Sequence, residues 1–349
     1  MNRINSSINK KNKKVKKEEI PKEEKTRKPK KQNMKKEKKR KKHPILRFIR
    51  NLLLLIIIIT IIIGFLFYKK VEANGGGVKG VLCTLLGQSV EDLANLEKIN
   101  VLVLGVSEDI DTKLTDTIIL CSYNPQNQSA SMLSIPRDTF IGKNQNTAKG
   151  SDKINSLYAK NVQKTVDAVE KITDLEIDYY VVVKTSSLIK IVDILGSVDF
   201  DVPIDMDYDD PTQDLHIHLS KGMQKIDGEK AEQLLRFRHN NDGSSYPSEY
   251  GDNDYGRMKT QREFMQETLK QALTLKNAKN AKKIINTVFD NIETNLTKDD
   301  CIPYIPVASE FDINSIVSRQ LPGESKKCNN LWFFLHDKKE TKEIISEIF

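Results

Sequence analysis

Cysteine is scarce, with four among 349 residues and no C-x-x-C pair. That excludes a disulfide-built scaffold and a zinc ribbon. Residues 1–43 lack apolar periodicity, being nearly all Lys, Glu, Asn and Arg. Such a tail cannot bury enough surface to offset its ordering entropy, so it is predicted to be disordered. Aromatic residues are not interleaved with its bases, and no helix-turn-helix follows. Both absences argue against a nucleic-acid reader and a transcription regulator.

Acids are absent from 45–70, which holds four bases and the chain's one long apolar run, Leu52 to Phe67, broken by Thr60 and Gly64. With its flanks this stretch spans the ~30 Å of a bilayer as a helix. Twenty Lys/Arg against five Glu precede it in 1–44, and Lys69 and Lys70 follow closely. The positive-inside rule therefore places the tail in the cytoplasm and the C-terminal bulk outside, with the helix as an uncleaved single-pass anchor. A cleaved signal peptide ending near Val71-Glu72-Ala73 is the competing reading. The net charge of +8 belongs to the tail, since 71–349 carry 32 bases against 43 acids. Four segments follow: a basic tail over 1–44, a membrane helix over 45–70, a stalk over 71–94 with Asn74-Gly75-Gly76-Gly77 as its flexible part, and an outer domain over 95–349.

Within that domain, strands are predicted at Ile99 to Gly105, Thr117 to Tyr123, Ala130 to Ile135, Tyr179 to Val183 and Val198 to Val202. Helices are predicted at Lys153 to Val169, Thr185 to Leu195, Gly228 to Arg236 and Asp254 to Leu275. Their alternation indicates an α/β fold with a mixed sheet. Asp205 to Asp214 reads as an acidic loop, either a solvated insertion or a metal site.

Charged groups recur at element ends. Asp116 opens the second strand. Arg137 follows the third, after Pro136, and a guanidinium fork suits a phosphate. Lys153 and Asn155 sit at a helix start, where free N–H groups favour anions. Arg236 and Arg238 flank Phe237 and point the same way on an extended segment. Arg257 and Gln261 share a helix face. Five bases with side-chain amides beside them on an acidic body suit a polyanion such as a pyrophosphate, and Mg²⁺ on Asp116 would complete the site. Each has a plainer reading: Arg236-Phe237-Arg238 as a solvated edge, Arg257 as an ion pair with Asp254 or Glu263, Asp116 as a turn cap. Spacing alone does not unite them.

The order of the motifs is more specific than any one of them. Leu104-Gly105-Val106, Thr115-Asp116-Thr117, Leu133-Ser134-Ile135-Pro136-Arg137-Asp138-Thr139 and Asp152-Lys153-Ile154-Asn155 run in sequence. Ile177 to Val181, Ile191 to Val198, Lys221-Gly222, Asp227 to Ala231, Arg236-Phe237-Arg238 and Asp254 through Gln261 continue the series. The set resembles the LytR-CpsA-Psr family over about 95–275. The resemblance implies an α/β/α sandwich around a mixed central sheet, with an apolar groove for a polyprenyl chain. It implies a membrane-anchored phosphotransferase that moves a glycopolymer, such as teichoic acid or capsule, from an undecaprenyl-(pyro)phosphate carrier to peptidoglycan. Carried onto matching positions, Arg137, Arg236, Arg238, Arg257 and Gln261 hold the pyrophosphate, Asp116 binds Mg²⁺ and acts with Arg137 in catalysis, and Lys153 and Asn155 shape the site.

The chain departs from the family pattern at Ser107, where an acid is usual, and at Leu114 and Thr260, where arginine is common. Glu108, Asp109 and Asp111 are alternative metal ligands. These departures keep a non-catalytic precursor sensor open as an alternative, and a polyprenyl-pyrophosphate pyrophosphatase is a second. Cys301 and Cys328 both lie in the outer domain, where pairing and free thiols are each permitted.

Overall fold

The computed structural model describes residues 44–106 and 114–349; the predicted disordered tail and Ser107, Glu108, Asp109 and Asp111 lie outside the described residues. Helix α1 covers Pro44–Ala73. Its Phe48–Ala73 portion, with an 18-residue window of mean hydropathy 2.8, is long and apolar enough to cross a membrane. From Phe48 to Tyr68 its large apolar side chains are exposed, as they would be on a single helix that crosses a bilayer.

The predicted stalk is folded instead. Gly75, Gly76 and Gly77 all take positive φ, a conformation that glycine adopts without a Cβ penalty. They turn the chain from α1 directly into α2 (Gly77–Leu86). The approach is close: a Cβ on Gly80 would lie 2.4 Å from the Val71 carbonyl oxygen. Leu82 of α2 is buried with Ala278 and Ala281. A short α3 (Val90–Ala94) follows, closed by a capping box between Ser89 and Asp92.

Six strands form the central sheet. β1 (Ile99–Val106), β2 (Thr115–Asn124) and β3 (Ser129–Ser134) run antiparallel. After α4 (Val162–Thr173), β4 (Tyr179–Lys184) lies parallel to β1. α5 (Thr185–Leu195) leads to β5 (Val198–Val202), then the hairpin β6 (Met206–Asp210) and β7 (Leu215–Leu219), and β8 (Gly222–Ile226), which pairs with β5. α6 (Gly228–Arg236), α7 (Asp254–Ala272), α8 (Leu275–Ala278) and α9 (Ala281–Phe289) precede β9 (Ile292–Thr294), an edge strand against β4. Short α10 (Lys298–Cys301) and α11 (Tyr304–Ala308) lead to β10 (Val317–Gln320), the other edge, parallel to β3. A hairpin of β11 (Gly323–Cys328) and β12 (Leu331–His336) and a final α12 (Lys338–Ile348) end the chain. The sheet order is β10-β3-β2-β1-β4-β9.

Side chains alternate across a strand, and β1 and β2 use both faces. Leu102, Leu104, Ile118 and Leu120 are buried on one face with Val166 and Val169 of α4, against Ile344 and Ile345 of α12. Their neighbours Val103 and Ile119 line a cavity on the other. Beyond that cavity a second core joins Val192 of α5, strands β5 to β8, Ala231 and Leu234 of α6, and Phe264 of α7.

Three local expectations need correction, and the open question of cysteine pairing is answered. The helix predicted from Lys153 starts at Val162, because 150–156 form 3₁₀ turns tied to the chain after β3. Ile141 N–H donates to the Asp152 carbonyl and Ile154 N–H to that of Thr139, both at 2.9 Å. The acidic loop at Asp205 to Asp214 is mostly the β6–β7 hairpin, since Leu215, Ile217 and Leu219 turn alternately into the second core. Arg236 ends a helix and is not extended, although Phe237 after it is. All four cysteines are free: Cys328 is buried with Ala148 and Phe333, while Cys301 lines a separate apolar pocket near Leu82.

Candidate active site

The cavity between the sheet and α5, α6 and α7 has a volume of about 540 Å³. Its walls are apolar, from Val103, Ile119, Leu188, Ile191, Leu235 and Met265 among others. Asp116, Arg137, Arg236, Arg238, Arg257 and Gln261 also line it. The structure thus brings together six of the eight residues singled out from sequence.

Asp116 owes its place to a β-bulge. Gly105 pairs with Thr117 and Val106 with Thr115, so Asp116 is the extra residue between them. A bulge re-aims side chains locally, and here Asp116 and Thr117, though consecutive, both reach the cavity. Gly105 is required at this point, since a Cβ there would lie 2.9 Å from the Thr117 Cβ.

Arg137 forms a short ion pair with Asp116. Its own carbonyl accepts the Asn155 N–H at 3.1 Å. Asn155 is buried and Lys153 pairs with Asp138 at 2.7 Å, its ammonium 5.6 Å from the Phe333 ring centroid. Neither Lys153 nor Asn155 lines the cavity. Their segment holds the Arg137 turn through backbone bonds.

The remaining cations come from helix ends. Arg236, the last residue of α6, reaches Glu232 at 2.9 Å and the Gln213 side-chain oxygen at 3.1 Å. Phe237 is fully buried between the two arginines, and its extended backbone delivers Arg238 to the same cavity. Arg257, in the first turns of α7, is 5% exposed and meets Asp254 at 2.6 Å. Arg238 contacts the same carboxylate at 3.2 Å. The Asp254 alternative for Arg257 is therefore realised inside the site. Gln261 donates to the Leu235 carbonyl at 3.1 Å, tying α7 to the end of α6.

The Arg137 and Arg257 guanidiniums differ in their electrostatics. Burial pulls the Arg137 guanidinium down, but Asp116, Asp254 and Asp138 together outweigh it and leave its pKa raised. Arg257 goes the other way. Burial lowers it, Asp254 opposes, and Arg137 and Arg238 add repulsion. Its Nε is buried with no hydrogen-bond partner, and its Nη2 meets Asp254 without hydrogen-bond alignment. A buried cation lacking full compensation is costly, so an anion entering here gains directional donors and relieves repulsion.

Sequence reasoning missed Lys184 and Thr185, where β4 runs straight into α5 and both residues line the cavity. It also missed Glu232 and Gln213, which carry no motif signal. Of the departures, Leu114 lines the cavity as an apolar residue. Thr260 is fully buried, its hydroxyl 3.0 Å from Tyr250 Oη and 3.4 Å from that of Tyr246.

The chain is similar in sequence and fold to known proteins. The polyisoprenyl-teichoic acid–peptidoglycan teichoic acid transferase TagU of Bacillus cereus is 32% identical over 248 residues, covering 69% of this chain and 75% of that protein. TagU of Bacillus licheniformis is 28% identical over 265 residues, covering 74% and 80%. The crystal structure of B. subtilis TagV superposes with a TM-score of 0.60 at 25% identity, covering 72% of this chain and 96% of that one. The LytR_cpsA_psr family model matches residues 77–348, a span that takes in the sheet, the cavity and the packed α2, and the chain belongs to that family.

Proposed function

We propose that this protein is a membrane-anchored phosphotransferase that moves a glycopolymer of the teichoic acid class from a polyprenyl-(pyro)phosphate carrier to peptidoglycan. The observation that carries the reading is one cavity with four arginines and apolar walls. A pyrophosphate matches the first feature and an isoprenoid chain the second. Two relatives are teichoic acid transferases by name. The α1 helix as anchor would keep the enzyme beside its lipid-linked donor, with the basic tail in the cytoplasm and the cavity on the outer side.

In the reaction the acceptor sugar hydroxyl attacks the polymer-bearing phosphorus. A new P–O bond forms, the P–O bond to polyprenyl phosphate breaks, and the hydroxyl proton leaves with the departing phosphate or to solvent. Such a transfer depends chiefly on positioning and charge stabilisation. Arg137, Arg236, Arg238 and Arg257 would hold the phosphates and meet the charge spread over their oxygens. Asp116, 30% exposed beside Arg137, would orient Arg137. Mg²⁺ usually takes one or two carboxylates together with substrate phosphate oxygens, and the Asp116 carboxylate at the cavity fits that donor set. Mg²⁺ held there would neutralise phosphate charge.

The test incubates the full chain in detergent with a polyprenyl-pyrophosphate-linked saccharide, peptidoglycan oligomers and Mg²⁺, and looks for joined product by mass spectrometry. Product is expected, and it should vanish on chelation and in Arg137→Ala. Tight lipid binding without transfer would instead make the protein a sensor, and release of free saccharide phosphate would make it a hydrolase. The apolar wall makes a separate prediction. Met265→Glu places a carboxylate where chain methylenes would pack, so KM for a long polyprenyl donor should rise about tenfold, equivalent to ~1.4 kcal/mol. A short-chain donor should be little affected. Equal effects on both donors would argue against a lipid groove.

A further inference from the structure

The β6–β7 hairpin has two unlike faces. Met206, Tyr208, Leu215, Ile217 and Leu219 pack inward. The outward face presents Asp207 and Asp209 on β6 opposite His218 and His216 on β7, in register as Asp207–His218 and Asp209–His216 pairs. We propose that this face is a binding site for a divalent transition metal of the zinc class, ligated by Asp209, His216 and His218.

The three ligand atoms lie within 4.8 Å of one another. Asp209 Oδ1 is 2.5 Å from His216 Nδ1 and 3.5 Å from His218 Nε2. The remaining nitrogens each face another carboxylate: His218 Nδ1 is 2.8 Å from Asp207, and His216 Nε2 is 3.7 Å from Asp214. For His218 that is the arrangement by which metal-bound histidines are oriented, one nitrogen on the ion and the other hydrogen-bonded to a carboxylate, while Asp214 stands beyond hydrogen-bond range of His216 as a nearby charge. Three carboxylates around two imidazoles leave the cluster anionic when the imidazoles are neutral, the form that ligates. Two imidazoles with a carboxylate suit Zn²⁺ or Cu²⁺ and are poor partners for Mg²⁺ or Ca²⁺.

The scaffold is held in advance. Asp207 and Asp209 N–H groups donate to the Asn240 and Asn241 side-chain oxygens at 2.7 and 3.0 Å. On the other strand, His218 N–H donates to Gln233 at 3.0 Å. The ligand side chains are about half exposed, so an ion enters from solvent, with water completing its shell. The site is distinct from the cavity, yet Tyr208 and Leu215 on the opposite face of the same hairpin line that cavity. A bound ion would therefore clip together the two strands that wall it.

The experiment is a calorimetric titration of Zn²⁺ into the metal-stripped full chain in detergent, with Mg²⁺ in excess. One ion per chain is expected, and the double variant His216→Ala/His218→Ala should bind it at least ~100-fold more weakly. Asp209→Asn, which keeps shape and loses the anionic ligand, should also weaken binding. Circular dichroism and the thermal midpoint of the metal-free variants should match the parent, since these side chains are exposed. No Zn²⁺ binding by the parent, or undiminished binding by the double variant, would overturn the proposal.

Discussion

Arg257→Ala is expected to lower kcat/KM for glycopolymer transfer about 10²–10³-fold, or ~3–4 kcal/mol, the scale set by loss of one preorganised donor to developing charge. The same substitution should leave folding stability nearly unchanged. Arg257 is buried beside Arg137 and Arg238, and burial with that repulsion holds its pKa below the usual guanidinium range. Removing it relieves the repulsion, while Asp254 keeps Arg238 at 3.2 Å. These gains oppose the cost of the lost contact at 2.6 Å. An activity loss without a stability loss marks a residue whose favourable partner is the substrate. Arg257→Lys restores the charge without the planar fork, so it should recover only part of the activity. Steady-state kinetics with a lipid-linked donor, alongside urea melts, measure both quantities. If the Ala variant unfolded readily and transferred normally, Arg257 would be a structural ion pair and nothing more.

The sequence made the sheet legible where its signals were local. β1 is mostly valine, leucine and isoleucine and β4 mostly tyrosine and valine, and they lie beside each other as the α/β reading required. The long apolar helix was equally plain, because a run broken only by Thr60 and Gly64 is long and apolar enough to cross a membrane. The Lys153 helix failed because Ile141 and Ile154 spend their N–H groups on tertiary partners, which no periodicity reveals. The stalk failed for a related reason. A glycine triplet reads as flexible, yet here it serves a tight turn, and the apolar face of α2 then finds Ala278 and Ala281 nearly 200 residues away in sequence.

The site was legible as an ordered set of charged motifs, and six of its eight members meet at one cavity. Their means of convergence was hidden. The bulge that turns Asp116 inward depends on the register between Gly105 and Thr117, a relation between strands. The roles of Lys153 and Asp138 were hidden too: the two neutralise each other at 2.7 Å, and Lys153→Ala should accordingly cost less activity than Arg257→Ala in the same assay. The reading of Arg236 and Arg238 reached the right destination by a wrong path. An extended segment was expected to aim both side chains alike, whereas one arginine ends a helix and the other follows it. What makes them converge is the residue between them.

Phe237→Ala should therefore be the most destabilising of these substitutions, by about 3–5 kcal/mol. The ring is fully buried in the second core. It packs edge-on against Tyr246, with centroids 5.5 Å apart. Deleting it loses the burial of the ring and leaves a cavity that the surrounding helices and strands fill only in part. At a few degrees per kcal/mol for a domain of this size, the thermal midpoint should fall by roughly 6–20 °C. The consequence for activity follows from position. Phe237 fixes the chain at the end of α6, so its loss frees both Arg236 and Arg238 to wander from the cavity. Transfer should then drop even at temperatures well below the lowered midpoint, chiefly as a rise in KM for the donor. Phe237→Leu refills most of the volume and should recover much of both properties. A variant with an unchanged midpoint would mean that the second core does not anchor the arginine pair, whereas a lowered midpoint with unchanged KM would mean that polar partners such as Glu232, Gln213 and Asp254 hold the arginines without it.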